Sequence, residues 1–106
     1  MATVSKTQAY HGTLTINTVD TVTITGQYGK YRILSRDVHR INFTIAQGTT
    51  TPTAPTVDGD NTLALAGWDG EYIEVNFKNG IKGITVSLIS DLANVKYSIM
   101  GISFGE

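Results

Sequence analysis

The 106-residue sequence contains no cysteine. Neither a disulfide framework nor a thiolate metal site can be built from it. A cysteine-free chain fits assembly in a reducing cytoplasm. No run approaches the roughly 18 to 20 apolar residues of a membrane-spanning helix. The first 25 residues hold no continuous apolar stretch, so neither membrane insertion nor a secretory signal is expected. Charge is sparse: Asp, Glu, Lys and Arg make up 16% of the chain, against about 25% in typical soluble domains. A net charge of −1 exerts no general pull on nucleic acid. Sustained helical periodicity is missing too. Its best stretch, Ser90 to Lys96, is long enough for a single turn.

Threonine takes the place of the missing charge, with sixteen copies. It is β-branched and suits a strand. Its hydroxyl wets a surface without charge, and interface cores are poor in Lys, Glu and Asp. The length fits one domain. Such a domain buries roughly two thirds of the surface its unfolded chain exposes, enough for a core without metal or disulfides. Residues 1–48 carry +3 and residues 49–106 carry −4. A chain polarised in this way can stack head to tail or dock on a charged patch.

Period-two alternation recurs along the chain and argues for strands. Leu14 and Ile16 alternate with threonines, as do Val22 and Ile24, with a turn predicted over Asn17 to Asp20. Tyr31 and Ile33 point one way while Lys30, Arg32, Leu34 and Arg36 point the other. After a turn at Asp37-Val38, Ile41, Phe43 and Ile45 repeat the pattern. Residues 47–61 hold both prolines and read as a long exposed loop. Leu63 and Leu65 mark a short strand, followed by a turn at Gly67 to Gly70. Ile73, Val75 and Phe77 lead to Asn79-Gly80, a strong type I′ hairpin signal. A two-residue loop there sets Val75 opposite Ile84 and Ile73 opposite Val86. In the last strand, Val95, Tyr97 and Ile99 face one side and Met100 and Ile102 the other, which predicts cover on both faces. Gly101 marks a bulge or a close approach. Residues 1–12 show no clear pattern and read as an extended N-terminal arm. The whole is an all-β fold: the arm, then one small antiparallel β-sandwich of about eight strands over residues 13–106, either jelly-roll or immunoglobulin-like.

Catalytic patterns are weak. His11 and His39 have no second histidine at metal-ligand spacing, and no HExxH or Gly-x-Ser-x-Gly pattern occurs. Gly26 to Lys30 lacks the spacing of a phosphate loop. Asp58 to Asn61 does not continue into an EF-hand loop. Asp69, Glu71 and Glu74 do not make a glycosidase pair, since Glu71 and Glu74 fall on opposite strand faces. No enzyme, cofactor or metal is expected. Binding is the better reading. Trp68, Tyr72 and Tyr97 offer aromatic faces for a sugar. Lys30, Arg32, Arg36 and Arg40 with Tyr28 and Tyr31 form a basic-aromatic cluster. Single-strand nucleic-acid binders use that mixture, but docking to an acidic protein patch fits the charge balance better.

The succession Val22-Thr-Ile-Thr-Gly-Gln-Tyr, Tyr31-Arg-Ile-Leu-Ser-Arg-Asp and Ile41-Asn-Phe-Thr-Ile resembles small bacteriophage proteins of this length. So do Pro55 to Thr62, Ile84 to Ser90 and Lys96 to Gly101. The chain is similar, over about residues 20–102, to the β-sandwich proteins that decorate or cement phage heads. The resemblance implies a virion protein on the capsid surface, made in the host cytoplasm. Its partners would be the major capsid protein and itself, as a dimer or trimer, with no membrane and no nucleic acid. It carries no catalytic residues. An arm can add a strand to a neighbour's sheet, which makes Thr3, Val4, Lys6 and Tyr10 candidate contacts beside Arg32, Arg36, Arg40, Trp68 and Tyr72. The alternative is a carbohydrate- or receptor-binding module of a phage tail or cell surface.

Overall fold

A computed structural model describes residues 3–26, 28–57, 59, 62–65, 70–76 and 83–104. Among them there is no helix. The strands are β1 (Thr3–Lys6), β2 (Ala9–Leu14), β3 (Asp20–Ile24), β4 (Tyr28–Ser35), β5 (Ile41–Gln47), β6 (Leu63–Leu65), β7 (Tyr72–Asn76), β8 (Ile84–Ile89) and β9 (Val95–Phe104). One sheet has the order β1-β3-β8-β5-β6 and the other β2-β9-β4-β7.

The pairing is nested. β2 pairs with β9, β3 with β8, β4 with β7 and β5 with β6, all antiparallel. The chain therefore runs out and back as one long hairpin whose tip lies between β5 and β6. That hairpin is folded over, so that β9 also meets β4 and β8 also meets β5. β1 lies outside this scheme and pairs parallel with β3.

Alternation decides the core. Leu14, Tyr31, Ile33, Val95, Tyr97 and Ile99 come from one sheet, and Val22, Ile24, Ile41, Phe43, Ile84, Val86 and Leu88 from the other; all are buried in a single cluster. The inward positions read from the sequence in β3, β4 and β9 are buried, as are Ile41 and Phe43 of β5; Ile45 is half-buried and packs against the core. Two asparagines in left-handed conformation, Asn17 (φ 52°) and Asn94 (φ 61°), turn the chain after β2 and before β9, a conformation their short polar side chains tolerate. β2 stops at Leu14, so Ile16 is exposed instead of continuing the inward row.

Tyr97 crosses the core. Its hydroxyl donates to Asp20 Oδ2 at 3.0 Å, joining the two sheets through buried side chains. Burial first, and then the Asp20 carboxylate, push the Tyr97 phenol far above its ordinary pKa. Gly101 behaves as its sequence context predicts. A Cβ there would run into the Tyr28 ring, and the β4–β9 register shifts between Tyr28 and Tyr31, beside it. A Cβ on Gly12 would stand 2.6 Å from Tyr97 Cζ. Both glycines make room for tyrosine rings.

Three expectations are corrected. β7 and β8 do not form a hairpin with each other. β7 pairs with β4, and β8 is flanked on both edges by β3 and β5. The reason is that alternation fixes which face turns inward but not which strand is the neighbour, and the Asn79-Gly80 turn lies outside the described residues. Residues 3–12 are not a detached arm: β1 and β2 are edge strands, one in each sheet. Their polar composition is that of edges with one solvated side. The strand covered on both faces is β8, all six of whose residues are buried; in β9, Met100 and Ile102 are half-exposed.

Candidate interaction surfaces

The outward face of the β1-β3-β8-β5-β6 sheet carries the threonines. Thr21 pairs with Ser87 (3.1 Å) and Thr23 with Thr85 (3.0 Å) across β3 and β8. Thr85 donates its one hydroxyl proton to Gly48 O at 2.8 Å, so Thr23 must be the donor to Thr85. Thr44 donates to Thr53 O at 2.6 Å and draws the segment after β5 towards this face. The central hydroxyls, Thr85 and Ser87, are thus buried and satisfied within the chain. β6 covers β5 from Ile41 to Phe43. Beyond it, Thr44 to Ala46, Thr50 to Thr53 and Leu63 border an open cleft of about 620 Å³.

On the outward face of the other sheet, Arg32 and Glu74 stand directly opposite one another and bond at 2.6 Å. The guanidinium carbon lies 4.2 Å from the centre of the Tyr72 ring, a cation–π contact along the diagonal of the ladder. The hydrogen bond from Arg32 outweighs burial and, helped by Arg32 and Lys30 charge, holds the Glu74 carboxyl below its ordinary pKa. Arg32 Nε is buried and has no hydrogen-bond partner among the described residues. His11 Nδ1 lies 2.6 Å from Ser98 Oγ on the same face.

The structure disperses the residues singled out from the sequence. Thr3, Val4 and Lys6 line the free edge of β1, with Val4 in register with Val22 and so on the inner face. Tyr10 is not an outward contact. It packs against the core, its ring 6.2 Å from that of Tyr97. The basic-aromatic cluster does not form: Tyr28 and Tyr31 are core residues in edge contact at 5.9 Å. The Tyr31 hydroxyl donates to Gly26 O at 2.7 Å. Arg36 donates to the Tyr97 carbonyl at 3.1 Å and the Gly12 carbonyl at 3.4 Å. It therefore clips strands together while remaining exposed. Arg40 faces Asp91 at 3.7 Å. Arg32 and Tyr72 are brought together as described. Trp68 lies outside the described residues, as do Asp58, Asp60, Asn61 and Asp69. Among the described residues, no group of three or more His, Asp or Glu is placed to hold a metal.

One end of the molecule holds what the sequence reading missed. The links β2–β3, β4–β5 and β8–β9 meet there. Asn17 N donates to Ser90 O (2.9 Å), Asn94 N to Leu14 O (2.9 Å) and Arg36 N to Lys96 O (3.0 Å). Ser90 Oγ donates to Arg40 O at 3.1 Å. Each link exposes one large aliphatic: Ile16 at 47%, Val38 at 61% and Leu92 at 42%. Tyr72, 50% exposed, starts β7 at the same end. A lone aliphatic inside a polar turn was the available signal. For Ile16 it was masked by apparent alternation with Leu14.

No protein-family model matches the chain, and no curated protein is significantly similar to it.

Proposed function

We propose that this chain is a structural protein of a bacteriophage particle, a decoration protein that binds the assembled head and stabilises it. The observation that supports this reading best is the nested strand pairing. Without β1, the sheets read β2-β9-β4-β7 and β3-β8-β5-β6. That is one long hairpin folded over into two four-stranded sheets, an order that supports reading the fold as a jelly-roll sandwich. Jelly rolls serve in viral capsid and lectin domains. The step from fold to role is one of analogy, and the sequence resemblance points the same way.

The mechanism needs no chemistry. A protein that binds the assembled shell more tightly than its free subunits shifts the equilibrium towards assembly. At a free concentration 100 times the dissociation constant, each occupied site adds about 2.7 kcal/mol. Equivalent sites on a symmetric shell suit a symmetric dimer or trimer. The test is cryo-electron microscopy of native particles, with heat-stability assays on shells with and without the chain. Density for the chain at repeated shell positions, and a higher melting temperature on its addition, are expected. Particles with the chain at no repeated position overturn the reading.

A glycan-binding module is the second reading, favoured by the half-exposed Tyr72 ring. It expects glycan-array binding that Tyr72→Ala abolishes while the fold is kept.

A further inference from the structure

We infer that the outward face of the β2-β9-β4-β7 sheet is a docking surface for a carboxylate-rich patch on another protein, independently of the decoration reading. The tyrosines of the expected basic cluster lie in the core, but three of its cations share this face. Lys30 and Arg32 stand opposite Asn76 and Glu74 of β7. Arg36 prolongs their row: its N donates to Lys96 O at 3.0 Å, and its guanidinium reaches the Tyr97 and Gly12 carbonyls. Lys96, opposite Thr13 of β2, is the fourth cation. Glu74 is the carboxylate set among them, and Arg32 already bonds it. The face thus carries +3. The other described residues, with Lys6 and Arg40 against Asp20, Asp37, Glu71 and Asp91, carry −2. Lys30, Arg36 and Lys96 are exposed, and among the described residues none of the three forms an ion pair. Asp37, the carboxylate next to Arg36 in the chain, is held in its turn by Val38 N at 2.8 Å.

Charge decides the occupant. Like charges directly opposite one another destabilise a ladder, and Arg36 and Lys96 are neighbours of that kind. Carboxylates brought by a partner would relieve their repulsion and complement Lys30. Glu74, bonded to Arg32 at 2.6 Å, shows that a carboxylate seats well on this face. Lys30 and Arg36 are roughly 20 Å apart along the strand direction. One small anion cannot span them, so the partner offers several carboxylates. Leu34, Met100 and Ile102 lie half-buried among the cations, and mixed apolar and polar ground of this kind is that of a protein interface. A nucleic acid fits less well. Tyr72, whose ring lies on this face, already has the Arg32 guanidinium 4.2 Å from its centre. Few cations release few counterions from a phosphate backbone, and a chain of net charge −1 exerts no long-range pull on one.

The experiment titrates the full chain into fluorescently labelled poly-L-glutamate and follows anisotropy at about 0.1 M and about 1 M salt, where the screening length is roughly 10 and 3 Å. Wild type, the double variant Lys30→Gln/Lys96→Gln and a control off the face, Lys6→Gln, are compared. Melting curves verify the fold, and Lys96→Gln should cost no stability because Arg36 loses its like-charged neighbour. Wild type should bind at the lower salt and release at the higher. The double variant should bind roughly fivefold more weakly, the effect of losing two exposed ion pairs, and Lys6→Gln should match wild type. Wild type that does not bind at the lower salt overturns the inference, as does a double variant that binds as wild type does. Tighter binding to an oligothymidylate of equal charge assigns the face to nucleic acid and overturns it too. Velocity sedimentation showing salt-sensitive self-association that the double variant loses assigns the face to a second copy, with the same consequence.

Discussion

Replacing Tyr97 with phenylalanine removes one oxygen from the middle of the protein. In the wild type that hydroxyl donates to Asp20 Oδ2 at 3.0 Å, and both residues are buried. Hydrogen bonds to charged groups contribute about 1.5–3 kcal/mol net, and a buried acceptor that loses its donor retains its desolvation penalty. The ring itself still fills its site, so no cavity term enters. We expect Tyr97→Phe to lower stability by about 2 kcal/mol near neutral pH, a fall in melting temperature on the order of 10 °C. Urea unfolding should show a lower midpoint with an unchanged slope. Asp20→Asn and the double variant complete a cycle that isolates the pair. The alkaline limb supplies a second readout. The folded-state pKa of Tyr97 is raised above the unfolded value near 10. Its contribution is fully present below about pH 10 and is lost as pH rises further, by up to 1.36 kcal/mol per pH unit. Tyr97→Phe should flatten that limb. A variant within about 0.5 kcal/mol of wild type, with the same alkaline slope, would refute the inter-sheet bond as a source of stability.

Gly101→Ala should destabilise by about 1–3 kcal/mol through overpacking, because the added methyl meets the Tyr28 ring; thermal melts read this directly. Arg32→Ala should raise the Glu74 pKa back towards its ordinary value, as followed by carboxyl chemical shifts in an NMR pH titration. The small stability Glu74 contributes in the wild type is present above its unfolded pKa and is lost as pH falls, so the variant should also show a shallower acid limb. Deleting residues 1–6 removes β1 alone and should leave a cooperative unfolding transition. Deleting 1–12 also removes four of the six residues of β2 and should abolish it, since β9 loses one of its two neighbours.

The class of fold was legible because burial follows alternation. Tyr31 and Ile33, or Val95, Tyr97 and Ile99, declare their inner face by spacing alone. Gly101 was legible as a close approach because glycine within a strand has few other uses. Partnership was not legible. Val75 and Ile84 both point inward whether β7 and β8 share a sheet or face each other across the core, so pattern and turn agreed on a hairpin that does not exist. The edge strands were missed because one solvated side and few apolar residues resemble a loop. The candidate contacts suffered from a related ambiguity. Tyr10 looks like a surface residue in sequence but packs, half-buried, against the core, and the exposed Arg36 also bonds carbonyls of neighbouring strands. Conversely Ile16 resembles a core position, and its exposure depends on a left-handed Asn17 that alternation does not reveal.

The nested pairing also constrains synthesis. β9 lies between β2 and β4, and β8 between β3 and β5, so each sheet receives a central strand late in translation. Until then the earlier strands of both sheets wait with open edges. A nascent chain of this design gains little from folding as it emerges, and long-range closure of this kind is slow. The interval before Val95 to Phe104 arrive is when the protein is most exposed to aggregation. The sparse, hydroxyl-rich strands at the front of the chain are suited to waiting through it.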